Sequence, residues 1–247
     1  KIALCTGRGA SAFEIAKILD INCSLILANG VYVYKNLFDK PSIKNYLSYD
    51  AKIAILEFLD FNSDDFDYYI VLGYEEDFHM IYKKKDIHHP YFLNFAQGRK
   101  SFKPTYPEHD LKDHIKRPIS HIGIVGKYDK LRYLKNMLNG LDIPINLILY
   151  YASDDKNYGF LEILDINASK EESLLKLAKI SNIDNTQILT IGDNFNDIGM
   201  IKKSAIGVAV LNAPDEVKRV AHYVTKSSNN EGAVAEVIKM FVFDRKI

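Results

Sequence analysis

Apolar and polar positions along the chain alternate between two patterns. Continuous apolar runs bounded by turn residues are typical of buried strands, and segments with apolar positions every three or four residues are typical of amphipathic helices. The runs predict strands at residues 2–6, 24–29, 31–34, 66–74, 77–83, 121–126, 145–151, 158–165, 187–193, 206–210 and 223–225. The periodic segments predict helices at residues 11–19, 50–59, 127–138, 170–180 and 214–221, a short helix beginning at Asp197 and a final helix beginning at Gly232.

The order of these elements indicates the fold class. Strands and helices alternate strictly in the last third, which predicts a parallel sheet with helices on both faces. Asn29-Gly30 is a strong hairpin signal between two of the early strands. The tyrosine-rich middle predicts a separate α+β unit, and residues 84–118 are expected to be mostly irregular, with one short helix near Tyr91. The chain is therefore predicted to be an α/β protein.

Composition narrows the class without naming a function. With 247 residues, 47% of them hydrophobic, the chain can form one large domain or two ordinary ones. Lys+Arg and Asp+Glu balance at 32 each, so total charge predicts neither a nucleic acid nor a membrane partner. The only two cysteines, Cys5 and Cys23, lie in apolar, strand-like segments, so the sequence does not predict a disulfide framework. A protein without such a framework fits a reducing cytoplasm. No apolar run approaches the roughly 18 residues of a membrane span.

The first candidate site is GDNFNDIGM, residues 192–200. Asp193 follows a continuous apolar strand, at the end of the strand where open α/β sheets bind their ligands. Asp193, Asn196 and Asp197 supply oxygen atoms that suit a hard cation such as Mg²⁺. The alternative is that Asp197 only caps a helix and Asp193 is a turn residue.

Two further segments carry candidate residues. CTGRG places the Thr6 hydroxyl and the Gly7 amide at another strand end, where they can approach an anion, although plain turn chemistry explains the same residues. ASKEE places Lys170 at the start of a helix. A lysine there is unfavourable against the helix dipole unless an anion lies close, but exposed lysines in a first turn are also common.

In the order Thr6, Lys170, Asp193 and Asp197, these segments resemble the haloacid dehalogenase superfamily of phosphohydrolases. The stretches TGR, ANG, the EI strand before the lysine and NAPDEVKRVAHYVT resemble its Cof-type branch, which has a class IIB cap. The resemblance implies a Rossmann-like, three-layer α/β/α core. The core is expected at residues 1–41 and 165–247, and an inserted α+β cap domain at residues 42–164, hinged near residues 40–42 and 166–169.

The family's first motif, Asp-x-Asp-Gly-Thr after a strand, is absent from this sequence. Neither Ser-Asp-Asp segment, at residues 63–65 or 153–155, has an apolar strand before it and Gly-Thr after it. In the family, the strand of that motif lies between the strands that carry Thr6 and Asp193. We therefore expect this chain to be a truncated form of a longer protein that lacks roughly 30 residues or more, enough for a strand, a turn and a helix. The alternative is a rearranged, partner-dependent state that fills the gap in the sheet.

The resemblance implies a mechanism for an intact protein. An aspartate of the missing motif would attack the phosphorus of a small phosphorylated metabolite, and a second aspartate would act as acid and then base. Mg²⁺ would be held by Asp193, with Asp197 close behind. The transferring phosphoryl group would be held by Thr6, Gly7, Lys170 and Asn196. Neither nucleic acid nor membrane is expected as a partner.

Some residues depart from the family pattern, and other functions remain open. Glu171 replaces a usual glycine and is expected to place a carboxylate beside the anion site. Leu211 and Asn194 also replace usual glycines, the latter mildly because asparagine tolerates left-handed conformations. The first alternative is a non-catalytic phosphate-binding or protein-interaction remnant. The second is an unrelated nucleotide-binding α/β domain, which the lack of an early G-x-G-x-x-G turn disfavours.

Overall fold

A computed structural model describes residues 1–9, 11–20, 23–37, 39–62, 68–74, 80–83, 106–107, 115–152 and 155–244. The short helix expected near Tyr91 lies outside these residues. Over the described ranges, the strands form three separate sheets. No helix within them is long and apolar enough to cross a membrane.

The first sheet has four strands that lie side by side in chain order. They are β1 (Ala3–Cys5), β2 (Ser24–Leu27), β3 (Tyr32–Tyr34) and β4 (Ile43–Lys44). β1 is parallel to β2, and the other pairs are antiparallel. The predicted hairpin turn is confirmed. It is a 3-10 turn, Ala28–Gly30, in which all three residues have positive φ, at 48°, 55° and 104°.

Strand β1 is less buried than its apolar sequence predicted. Ile2, just before it, is 54% exposed, and none of the three residues of β1 is fully buried. The predicted strand is confirmed at Ala3–Cys5, but its predicted burial is wrong, because β1 has a described neighbour, β2, along one edge only. A strand that lacks a neighbour on its other edge remains open to solvent there.

The second sheet has six strands in the order β7-β6-β5-β8-β10-β9. They are β5 (Tyr68–Tyr74), β6 (Met80–Lys83), β7 (Tyr106–Pro107), β8 (Ile119–Lys127), β9 (Ile145–Tyr151) and β10 (Tyr158–Asp165). Helices α2 (Tyr49–Phe61) and α3 (Tyr128–Asn139) pack in one apolar cluster with Ile122, Ile124, Leu161 and Ile163 of this sheet. Because side chains alternate along a strand, Glu162 and Leu164 of β10 point to the other face. Leu164 packs there in the core of the first sheet.

The third sheet contains three parallel strands. They are β11 (Leu189–Gly192), β12 (Ile206–Ala209) and β13 (Tyr223–Val224). The helices of this region are α4 (Lys170–Ile180), α5 (Ile198–Lys203), α6 (Asp215–Lys218) and α7 (Ala233–Ile238). The strict alternation predicted from the sequence is confirmed. Among the described strands, β11 pairs only with β12, so the expected parallel strands fall into two sheets.

Helices enclose the first sheet from two sides and connect it to the third. Helix α1 (Ser11–Ile18) buries Ala12 and Ala16 against one face. Leu177 of α4 packs against Ile26 and Val33 on the other face, and α4 also contacts α5. This arrangement confirms the α/β layering. Strand β4 lies within the expected cap range but pairs with β3, so the chain leaves the first sheet after Lys44.

Glu236 of α7 provides a test of the fold at acidic pH. Its carboxylate accepts hydrogen bonds from the amides of Lys226 and Ser227, 2.9 and 3.0 Å away, and from the Tyr223 hydroxyl at 2.7 Å. These bonds, that of the Lys226 amide foremost, lower the pKa of Glu236 to about 2. Because this lies below the unfolded value of roughly 4.3, the stabilisation is present above that value and is lost as the pH falls towards 2.

We expect Glu236→Gln to lose less stability than the native chain when the pH falls from 6 to 3, because glutamine does not titrate. Urea unfolding at both pH values measures the difference. Equal losses of stability in the two proteins would contradict the assignment of this pH-dependent stabilisation to the ionised Glu236 carboxylate.

Candidate active site

A buried ion pair joins the start of helix α4 to the turn after strand β11. Lys170 Nζ donates to Asp197 Oδ1 over 2.6 Å, and the two residues are only 7% and 2% exposed. The Ser169 side chain caps α4 by accepting from the Glu172 amide, which makes Lys170 the first helical residue. The anion that a lysine at this position needs is therefore Asp197.

The second oxygen of Asp197 orders the turn itself. Asp197 Oδ2 accepts from the amides of Asp193 and Asn194 at 3.0 and 3.1 Å, closing a capping box with Asn194. A Cβ atom at Gly192 would lie 2.4 Å from Asp197 Cβ, so only glycine lets this side chain fold back over the strand end. Asp197 stands at the N-cap of helix α5, but its side chain makes no capping hydrogen bond to that helix and instead orders the preceding 3-10 turn, Phe195–Asp197. The assignment of Asp197 as a metal ligand stays a prediction.

Asp193 differs from Asp197 in the exposure and the partners of its carboxylate. It is exposed, and its carboxylate has no hydrogen-bond or ion-pair partner among the described residues. Asn194 beside it is extended, with φ −140°, so the left-handed tolerance of asparagine is not used. The Asp193 carboxylate therefore remains available for a ligand.

The TGR turn after β1 is held by the Ala28–Gly30 turn. The carbonyl oxygens of Thr6 and Arg8 accept from the amides of Asn29 and Ala28 at 3.1 and 2.9 Å. Thr6 Oγ1 accepts from the Arg8 amide at 3.0 Å, and Gly7 is exposed. The turn is thus fixed by backbone bonds, and the phosphate-binding roles of Thr6 and Gly7 stay predictions.

Two residues that the sequence analysis did not select connect the site to the second sheet. Asn29, only 2% exposed, donates from Nδ2 to Glu162 Oε2 over 2.6 Å and accepts at Oδ1 from Asn196 Nδ2 over 2.8 Å. Asn196 Oδ1 is buried and has no hydrogen-bond partner within the described ranges. The segments ANG and EI contributed to the family resemblance, but nothing local in them predicts this contact.

The thiol of Cys5 lies near the ion pair but is a weak nucleophile. Burial raises its pKa to about 12, partly offset by the positive charge of Lys170 and reinforced by the negative charge of Asp197. Because the thiolate is the nucleophilic form, almost none is present at neutral pH. Cys5 is therefore a poor substitute for an attacking carboxylate.

The oxygen donors at the site fit part of a magnesium shell. Within the described parts of the chain, no three His, Cys, Asp or Glu side chains are grouped to hold a metal. The open carboxylate of Asp193 and the unpartnered Oδ1 of Asn196 are nevertheless the donor type that Mg²⁺ takes, and Mg²⁺ usually keeps several waters. Asp197 is less suited because both its oxygens already accept hydrogen bonds.

The departures at Glu171 and Leu211 are accommodated in the structure. A Cβ atom at Gly199 would lie 2.1 Å from Glu171 Oε2, and Lys203 Nζ lies 3.9 Å from Oε1, so this carboxylate rests on helix α5. The Leu211 amide donates to Thr225 Oγ1 over 3.0 Å. Glu171 thus has a cationic neighbour on α5 that offsets its charge.

Comparison with known proteins reveals relatives among the phosphatases. A family model described as haloacid dehalogenase-like hydrolase matches residues 1–238. A putative phosphatase of Haemophilus influenzae is 36% identical over 124 residues, 50% of this chain and 45% of that protein. A 5-amino-6-(5-phospho-D-ribitylamino)uracil phosphatase of Bacillus subtilis is 28% identical over 263 positions, 96% of this chain and 84% of that protein. The chain spans less than half of the Haemophilus protein and of a putative phosphatase of Bacillus subtilis, 45% and 30%.

Solved structures agree at the level of the fold. A haloacid dehalogenase-like hydrolase from B. subtilis has a TM-score of 0.78 at 20% identity, covering 98% of this chain and 88% of that one. A subclass IIB sugar phosphatase of the same superfamily has a TM-score of 0.73 at 16% identity, covering 98% and 85%. With the family match over nearly the whole length, the chain belongs to the haloacid dehalogenase-like hydrolases.

Proposed function

We propose that the protein is a Mg²⁺-dependent phosphohydrolase of small phosphorylated metabolites, such as sugar phosphates, and that its attacking aspartate is not among these 247 residues. The observation that carries the proposal is the buried Lys170–Asp197 pair, which orders the turn bearing the open Asp193 carboxylate. Relatives named as phosphatases of phosphorylated small molecules support the substrate class.

The residues present would bind and neutralise the phosphoryl group. The Lys170 ammonium has three N–H donors and gives one to Asp197, so it would still offer donors to a phosphoryl oxygen. The amide of the exposed Gly7 and the Thr6 hydroxyl would face the other phosphoryl oxygens. Asp193 would hold Mg²⁺, which supplies charge neutralisation when bound. Asn196 can offer its second Nδ2 proton to a phosphoryl oxygen. The six-stranded unit, as an inserted cap, would close over the substrate and exclude water.

The chemical step needs a carboxylate that these residues do not supply. An aspartate would attack phosphorus and form an aspartyl-phosphate while the bond to the leaving alcohol breaks, and a second acidic group would protonate that alcohol. Water would then release phosphate and restore the carboxylate. The strand carrying this aspartate would fit between β1 and β11, each of which has a described partner along one edge only.

The second candidate is a non-catalytic phosphate-binding or protein-interaction remnant. The observation that favours it is that these 247 residues contain no Asp-x-Asp-Gly-Thr segment, while the anion-binding candidates are present. Both candidates keep the same anion-binding groups. They differ only in whether an attacking carboxylate exists.

The test extends the chain by the residues that the source DNA encodes directly before Lys1. We expect this version to hydrolyse p-nitrophenyl phosphate with Mg²⁺ and not with EDTA, and Asp193→Asn to lower kcat about 100-fold because an amide neutralises less cationic charge. Asp142→Asn, an exposed change after α3, is the matched control and should retain full activity.

The outcomes separate the candidates. Unchanged turnover in Asp193→Asn would contradict the role of Asp193. The 247-residue chain should show no turnover, and clear Mg²⁺-dependent hydrolysis by it would refute the need for an additional aspartate. An upstream sequence without Asp-x-Asp-Gly-Thr would favour the non-catalytic remnant.

A further inference from the structure

We propose that Glu162 is a positioning residue that sets the direction of the Asn196 side-chain amide through Asn29. Glu162 lies on β10 of the second sheet, Asn29 in the turn of the first sheet, and Asn196 in the turn after β11. The two hydrogen bonds that join them connect residues 133 and 167 positions apart. One chain of polar contacts therefore runs across all three sheets.

The direction of each amide follows from the carboxylate. An ionised carboxylate only accepts hydrogen bonds, so Asn29 must turn its Nδ2 group towards Glu162 Oε2, 2.6 Å away. Asn29 Oδ1 then faces Asn196, which has to donate from its own Nδ2 at 2.8 Å. Asn196 Oδ1 consequently points away from Asn29, into a buried position where no described group donates to it.

Without the carboxylate, the same contacts permit a second arrangement. If Asn29 turned over, its Nδ2 group would donate to Asn196, and Asn196 would have to present Oδ1 to it. The buried acceptor at the site would then be consumed inside the protein. Glu162 excludes this arrangement because the turned amide would bring Asn29 Oδ1 against a carboxylate oxygen, and both atoms are acceptors.

The ordered amides leave Asn196 Oδ1 as a buried acceptor that is open to a ligand. An unpartnered buried oxygen calls for a hydrogen-bond donor or a cation. What Asn196 Oδ1 binds rests on the proposed function, where a Mg²⁺ ion or its bound water would satisfy it. The amide direction itself does not rest on that function and can be measured without substrate.

The experiment observes side-chain amide groups in the ¹⁵N-labelled 247-residue chain by NMR, with Asn196→Asp used to assign the Asn196 signal. In Glu162→Gln we expect the Asn196 Nδ2 signal to shift and its hydrogen exchange to quicken about tenfold, because a charge-assisted bond that fixed the network is gone. Asn45 donates from Nδ2 to Gly30 O over 2.8 Å in the same turn and serves as the internal control.

A matched variant separates the relay from general loosening. Tyr150→Phe removes the hydroxyl that donates to the other oxygen of Glu162 at 2.8 Å, but it leaves the contact with Asn29, so the Asn196 signal should stay in place. If Glu162→Gln fails to fold, Glu162→Met, of similar length, should give the same shift.

Three results would overturn the proposal: an unchanged Asn196 signal in the Glu162 variants, equal changes at Asn45, or the same shift in Tyr150→Phe. Because no turnover enters the measurement, its failure is distinguishable from failure of the proposed phosphatase activity.

Discussion

Replacing Asp197 by alanine is expected to lower the free energy of unfolding by about 3–5 kcal/mol, the range for breaking a buried ion pair. The change leaves the buried Lys170 ammonium without its partner at 2.6 Å. It also removes the acceptor of the Asp193 and Asn194 amides, which order the turn after β11. Urea unfolding of the 247-residue chain at pH 7 measures the loss.

The neighbouring aspartate is the matched control. Asp193 is exposed and has no side-chain partner in the described part of the chain, so Asp193→Ala should change stability by no more than about 0.5 kcal/mol. A comparable loss in both variants would show that the loss of stability in Asp197→Ala does not come from its contacts with Lys170 and the turn amides. The contrast would also assign the two acidic residues of GDNFNDIGM to different roles, one structural and one for ligand binding.

A double-mutant cycle isolates the ion pair. Each single change, Lys170→Met or Asp197→Asn, leaves one buried charge without its partner, whereas the double variant has neither charge. The double variant should therefore lose less stability than the sum of the two single changes, by at least about 1 kcal/mol. Simple additivity would mean that the two side chains contribute independently.

Gly30→Ala is expected to lower the free energy of unfolding by about 3 kcal/mol or more, from backbone strain together with steric overlap. Gly30 has φ 104°, which alanine rarely adopts. A Cβ atom there would lie 2.3 Å from the Ser169 carbonyl oxygen and 2.6 Å from Ser173 Oγ, both at the start of helix α4. The turn of the first sheet would have to move away from α4, and thermal or urea unfolding would report the loss.

Gly232→Ala separates strain from overlap. Gly232 has φ 90°, but a Cβ atom there meets nothing within 4 Å. We therefore expect this variant to lose only about 1–2 kcal/mol, the effect of the backbone conformation alone. Equal losses at the two glycines would contradict the proposed close approach of the turn to α4.

The candidate site was predictable where its residues follow strand or helix ends. Asp193 and Thr6 come at the ends of apolar runs, and Lys170 opens a periodic segment, so pattern and family resemblance selected all three as candidates. The structure confirms these positions at element ends, and the roles of the three residues stay predictions. Asn29 and Glu162 were missed because their contact depends on which face of β10 meets the first sheet. That packing joins segments 133 residues apart, and neither segment shows it alone.

The parallel strands show the same limit. Alternating strands and helices predicted parallel pairing, and β11, β12 and β13 do pair in parallel. The pattern did not predict that these strands would form a sheet apart from β1. Sheet membership depends on which edges find partners, and the described neighbours of β1 and β11 lie along one edge of each. For the same reason, the apolar residues around β1 are more exposed than their sequence suggests.

The sequence by itself determined the α/β class, the order of the elements, the hairpin at Asn29-Gly30 and the acidic turn, because local periodicity and turn chemistry act over a few neighbouring residues. The tertiary structure alone decided that Asp197 is occupied by Lys170 and the turn amides while Asp193 stays open. It also decided that Asn29 links Glu162 to Asn196. These distinctions arise from burial and from contacts between distant segments, which exist only once the sheets have packed together.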